Sequence, residues 1–178
     1  MIVLSIILSL TVLYGQVPSV QPDRFVIARV KYGGGGDWYS NPTSIPNLLS
    51  FISKRTGVLT ADKEAVVELS SPRLFSYPYL YLNGHGNIKF TDRDVQQLRR
   101  YFEGGGFLHA DDNYGMDASF RHEMKRVLPN SEFVELPFDH PVYKSHFKFS
   151  NGPPKIHEHD CKPAQGLSLF LDGKMVVY

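Results

Sequence analysis

The chain has 178 residues, with 19 Lys and Arg against 18 Asp and Glu, a formal net charge of +1, and seven His that add positive charge in mild acid. A hydrophobic share of 42% with 21% charged residues is that of an ordinary globular domain and excludes a disordered chain, a collagen-like repeat and a coiled coil. The near-neutral balance argues against a nucleic-acid binder built on bulk positive charge, and a single Cys excludes an internal disulfide and a Cys-rich zinc site.

Met1 to Leu13, MIVLSIILSLTVL, carries no charged side chain. The run has the length of a signal-peptide core and is short for a membrane span. Gly15 supplies a small residue where cleavage can occur. Residues 1–16 are therefore expected to be a secretory signal, with an uncleaved anchor as the alternative, and residues 17–23 a linker. The expected location is secreted or periplasmic, and any membrane attachment runs through the N-terminus alone. Residues 24–178 are expected to form a single domain, long enough to bury a core without staples.

Arg24 to Tyr32 is rich in β-branched and aromatic residues and predicts a strand, ended by Gly33–Gly36. Ser44 is placed to cap a helix whose apolar residues Ile45, Leu48, Leu49 and Ile52 follow helical spacing, with Gly57 as its stop. Ala65–Leu69 and Tyr77–Leu82 predict two more strands, the second ended by Asn83-Gly84-His85-Gly86. Thr91 with Asp94 has the form of a capping box, opening a helix with Val95, Leu98 and Phe102 on one face that stops at Gly104–Gly106. Phe107–Ala110 predicts a strand running into Asp111-Asp112. A third helix follows from Phe120, Met124, Val127 and Leu128, stopped by Pro129, then a short strand at Phe133–Leu136. Pro137–Gln165 is irregular and rich in Pro and His. Two final strands, Leu167–Leu171 and Lys174–Tyr178, flank Asp172-Gly173, a strong hairpin turn.

Strands alternating with helices of about a dozen residues predict a mainly parallel sheet with helices on both faces. Ligands of such sheets bind outside the carboxyl ends of the strands, where the unusual residues of this chain cluster.

The segments RVKYGGGGDWY, YPYLYLNGHGNIKFTDRDVQQLRRYFEGGGFLHADDNYG, DHPVY and GPPKIHEHD resemble the DUF4159 family, and the similarity covers the chain from Phe25 onward. The resemblance implies a flavodoxin-like α/β three-layer sandwich of the class I glutamine amidotransferase-like kind, with ThuA-like relatives, and a signal peptide or membrane segment. It implies no established reaction. It also implies a few dozen residues beyond the position of Tyr178, with an Asp- and Trp-containing loop and a last helix.

An amidotransferase needs a Cys in a Gly-x-Cys-x-Gly elbow. Cys161 stands in His159-Asp160-Cys161-Lys162-Pro163, with no flanking Gly, so the fold is expected without that machinery. Three residues at strand ends are the candidate catalytic or polar-ligand groups. Asp111 and Asp112 are adjacent carboxylates that repel unless metal, counter-charge or solvent relieves them, with helix capping as the structural alternative. His85, between two glycines, converges with them if the strands are neighbours. Gly34, Gly35, Asp37, Trp38, Tyr39 and Asn113 are candidate ligand contacts, a Gly-rich loop with an aromatic lid that matches no nucleotide fingerprint. His157 and His159 alternate and form a weaker metal pair. Any cofactor is unknown, a divalent metal being one option. The reading is a non-catalytic module for a small polar ligand or an envelope partner. The alternatives are an Asp/His or metal-assisted hydrolase on a carbohydrate or other polar substrate, and a structural partner in an envelope complex.

Overall fold

Strand β1 (Ile27–Val30) is buried along its whole length, as a run like VIARV requires when both faces of a strand are covered. It was placed by a computed structural model that describes residues 23–155, 159 and 161–178. The expected signal and most of the linker, and His157, lie outside the described residues.

β1 lies between β2 (Ala65–Val67) and β3 (Tyr79–His85) and is parallel to both. β3 pairs in parallel with β4 (Phe107–Tyr114). Beyond β4, the strands β5 (Val134–Glu135), β6 (Leu167–Leu171) and β7 (Lys174–Val177) complete the sheet. β7 is parallel to β4, and β6 and β5 follow antiparallel. Among the described residues the order is β2-β1-β3-β4-β7-β6-β5, a mixed and mostly parallel sheet. The β6–β7 turn uses positive φ at both Asp172 (49°) and Gly173 (76°), as a tight two-residue hairpin demands.

Helix α1 (Ser44–Thr56) covers one face, packing Ile45 and Leu49 on Ile27 and Tyr81. Helices α2 (Asp92–Glu103) and α3 (Asp117–Val127) cover the other. There Leu98, Phe102, Met124 and Val127 bury Ala28, Val30, Leu80, Leu82 and Leu108. The result is a three-layer α/β sandwich of the flavodoxin kind in its general topology. The expected capping box of α2 is present, Asp94 N–H donating to Thr91 Oγ1 at 3.1 Å and Thr91 N–H to Asp94 Oδ2 at 2.9 Å.

Two local expectations are corrected. Ser44 is the first helical residue of α1 and not its side-chain cap; its hydroxyl donates to the Asn41 carbonyl at 2.9 Å, and Thr43 takes the cap position without a side-chain bond. β3 and β4 also run past their apolar residues. Asn83 pairs with Asp111 and Gly84 with Asp112 across the ladder, so backbone pairing carries polar residues that a hydrophobic pattern reads as strand ends. Within the irregular segment, Asp139-His140-Pro141 forms a tight turn in which the Val142 N–H donates to His140 Nδ1 at 3.2 Å, opening a 3-10 turn at Pro141–Tyr143.

Candidate functional site

From β1 the chain goes out to β2 on one side and then to β3 on the other, so strand order reverses between β1 and β3. This is the switch point of an open α/β sheet, where a crevice forms outside the strand carboxyl ends. The glycine run after β1 is laid along the loop after β3. Lys89 N–H donates to the Gly33 carbonyl at 2.8 Å, and Gly36 N–H to Asn87 at 3.0 Å. Gly34, at φ 106°, comes so close that an added Cβ would stand 2.6 Å from the Lys89 nitrogen. These glycines serve a backbone-to-backbone approach; Gly35 beside them has φ 92° and open space around it.

That junction delivers Asp37 to His85. Asp37 Oδ2 lies 3.0 Å from His85 Nδ1, and Asp37 Oδ1 accepts the His85 backbone N–H. Burial alone would raise the Asp37 carboxyl, but the backbone and ring of His85 outweigh it and hold the group below its ordinary value. Both side chains remain partly open to solvent. Under them the Tyr32 hydroxyl donates to the Asn83 carbonyl at 3.1 Å. Its pKa is pushed up to about 12 by burial and by the charges of Asp37 and Asp112.

The loop carrying Trp38 to Asn41 is held from below by Arg29, which is 1% exposed. Its Nε pairs with Glu64 at 2.6 Å, and its Nη1 reaches the Ser40 carbonyl at 2.9 Å and the Asn83 side-chain oxygen. Asn83 in turn donates to Ser40 Oγ at 2.9 Å. So held, Asn41 adopts a left-handed φ of 54° and donates to Asn113 Oδ1 at 3.0 Å, while Asn113 Nδ2 donates to Ser40 Oγ at 3.1 Å. The Trp38 ring packs against the main core; its neighbour Tyr39 is 65% exposed.

The adjacent carboxylates of β4 point to opposite faces, as successive strand residues must. On the α1 face, Asp111 Oδ2 accepts from the Tyr81 hydroxyl at 2.9 Å. One step back on that face, His109 Nδ1 stands 3.0 Å from the Tyr79 hydroxyl, and burial pulls its pKa down against the opposing charge of Asp111. On the other face, Asp112 accepts the backbone N–H groups of Met116 at 3.0 Å and Asp117 at 2.9 Å, closing the start of α3. Burial raises the Asp112 pKa; the two N–H groups oppose this, and Asp117 and Asp111 add to it. His85, Asp111 and Asp112 thus stand in three separate partnerships, with Asp37, Tyr81 and the start of α3.

A groove of about 740 Å3 runs between the carboxyl half of β4 and the irregular segment before β6. Asn41, Asp111, Asn113, Tyr114, His159 and Lys162 are among its lining residues. The His159 ring lies 4.7 Å from that of Tyr114 and 5.8 Å from that of His85, so the Asp37–His85 pair borders the groove. Of the expected metal pair, only His159 is described. Among the described residues no three His, Cys, Asp or Glu side chains are placed to share a metal ion. Cys161 is exposed within the irregular segment. At the end of β3, Gly84 and Gly86 flank His85 with positive φ; among the described non-glycine residues only Asn41 and Asp172 share that sign.

Sequence reasoning missed Arg29, Ser40, Asn41, Tyr81 and His109. A signal existed for three of them. Period two in β1, β3 and β4 puts Arg29, Tyr81 and His109 on one face, and an Arg inside a buried strand requires built partners.

Residues 26–178 match the family described as a domain of unknown function, DUF4159, and the chain belongs to it. No curated protein matches the chain.

Proposed function

We propose that this DUF4159 domain is a binding module for a small, hydroxyl-rich polar ligand, seated in the groove beside β4. One observation carries the reading. A groove of about 740 Å3, within the roughly 300–1,000 Å3 usual for small-molecule sites, collects donors and acceptors from three separate segments. Asn41 comes from the Arg29-held loop, Asp111 and Asn113 from β4, and His159 and Lys162 from the segment ahead of β6. Paired amides and a carboxylate on a rigid strand suit the hydroxyls of a sugar or polyol, with Tyr114 as an apolar floor for its ring carbons. The amidotransferase-like identity of the fold belongs to this reading, as a scaffold that keeps its crevice without the Cys elbow. So does export, with residues 1–16 as the signal.

The test is a thermal-shift series on the chain with a panel of monosaccharides, uronic acids and polyols. A ligand of the native state raises Tm by mass action. The expected result is a rise in wild type that shrinks in Asp111→Asn and in Asn113→Ala. Equal rises in wild type and both variants would put the ligand elsewhere, and no rise with any member of the panel would sink the ligand class.

The Asp37–His85 pair favours a second reading, a hydrolase. A carboxylate on Nδ1 orients the imidazole for proton exchange with a water or substrate hydroxyl. Nitrophenyl glycosides and esters probe this reading; turnover that vanishes in His85→Gln and drops in Asp37→Asn would establish it over simple binding.

A further inference from the structure

The large apolar side chains exposed among the described residues are unevenly placed. Phe138, Val142, Phe147 and Phe149 fall in one short stretch of the irregular segment, and Val58 and Leu59 directly follow α1. The two groups adjoin. Phe51 of α1 stacks on Phe147 at 5.7 Å, Phe147 meets Phe149 at 6.0 Å, and the Arg55 guanidinium lies 5.8 Å from the Phe51 ring centre. His146 sets its edge against both Phe51 and Phe147.

Charge follows the rings. Lys54, Arg55, Lys144 and Lys148 are all exposed, while residues 44–60 and 140–155 contain no Asp or Glu at all. In a chain of net charge +1, this is a local excess of one sign. The place where the chain enters the fold coincides with it. Phe25 N–H donates to the Leu59 carbonyl at 2.8 Å, and the Arg24 guanidinium to the Thr60 carbonyl at 3.0 Å. Arg24 and Phe25 therefore enter the domain beside the end of α1, and Arg24 adds a further cation there.

We propose that this face, from Phe51 and Arg55 to Phe147 and Phe149, docks on an anionic bilayer surface. The rings enter the headgroup layer, where aromatic side chains settle, and Lys54, Arg55, Lys144 and Lys148 lie against lipid phosphates. Charge complementarity selects this occupant. A two-fold contact between copies would set the same cations against one another. The surface is separate from the β4 groove and independent of what binds there.

Vesicle co-sedimentation of the full chain tests the proposal, with phosphatidylcholine vesicles against vesicles that also contain phosphatidylglycerol. The N-terminal run contributes equally to both, so the difference between them reads the patch. The expected result is stronger binding to the anionic vesicles, weakened by salt. Lys144→Glu with Lys148→Glu is expected to reduce that preference about tenfold or more, and Phe147→Ser with Phe149→Ser to reduce it while leaving Tm unchanged. Arg93→Glu, an exposed charge change on α2, serves as control. Equal loss in the control would reduce the effect to net charge and overturn the proposal. So would equal binding to both vesicle types, or a dimer in light scattering that Phe147→Ser dissolves.

Discussion

Arg29 shows how one side chain sets the geometry of the site. Its guanidinium is buried, pairs with Glu64 and holds the loop from Trp38 to Asn41 by backbone carbonyls. Removing one member of a buried pair strands the other and leaves carbonyls unanswered. Arg29→Met is therefore expected to cost roughly 3–5 kcal/mol in urea unfolding, whereas Arg29→Lys keeps the charge but loses the planar fork that reaches several acceptors at once. Two carboxyls at the site respond to pH in opposite directions. Asp37 is held below its ordinary value by His85. Its stabilising effect is present above the unfolded-state value, about 3.9, and is lost as pH falls through the folded one. Asp112 is raised, chiefly by burial. Its contribution is complete below about 3.9 and is lost as pH rises through its folded value. In urea unfolding repeated from acid to neutral pH, Asp37→Asn is expected to cost most at neutral pH and least in acid. Asp112→Asn, which keeps a cap acceptor, is expected to gain on wild type as pH rises. Parallel pH curves for either variant and wild type would contradict the assignment.

At the scale of elements, local patterns carried most of the information. The α2 capping box forms as its sequence signature requires, and Thr91→Ala is expected to lower stability by about 1 kcal/mol, read as a small shift in the urea midpoint with unchanged slope. The helices, the hairpin at Asp172-Gly173 and the central strands were all legible, because each announces itself within a dozen residues by period, cap or turn. The ends of β3 and β4 were not, since Asn83, Gly84, Asp111 and Asp112 are in strand only because they pair with each other. The residues of the candidate site were legible only in part, and their partnerships were not. His85, Asp37 and Asn113 were all picked out, but the bond from Asp37 to His85 spans 48 positions and depends on which strands are neighbours. Gly84 marks the same limit. At φ 150° a Cβ there would run into the Tyr32 hydroxyl beneath Asp37, so Gly84→Ala is expected to displace the Tyr32–Asn83 contact and weaken the Asp37–His85 pair. A perturbed His85 ring signal in NMR, with helices intact by circular dichroism, is the measurement that checks it.

In the whole molecule the groove has two walls of different make. One is β4, at the centre of the mostly parallel sheet and packed by α2 and α3 on one face. The other is the part of the irregular segment just ahead of β6, where Pro154, Lys162 and Pro163 are exposed and Leu136 N–H to Gly166 is among the described backbone ties. Amides of a central ladder exchange with solvent only when the whole domain opens, whereas amides on an exposed segment exchange through local opening. Hydrogen exchange is therefore expected to be slowest in β3 and β4 and fast across residues 137–155, with the bonded amides of His140, Tyr143, Lys144, Phe149 and Gly152 the slower exceptions. A ligand in the groove must bridge both walls, so the tie between them tightens on binding while β4, already at the global limit, changes little. The expected signature is added protection confined to the irregular wall and the loop of Ser40 and Asn41. Added protection on α2 alone would instead point to a ligand held away from the groove, which no α2 residue lines. Uniform protection of every element by the same amount would mean that binding stabilises only against global unfolding, and that the second wall is already as firmly held as the first.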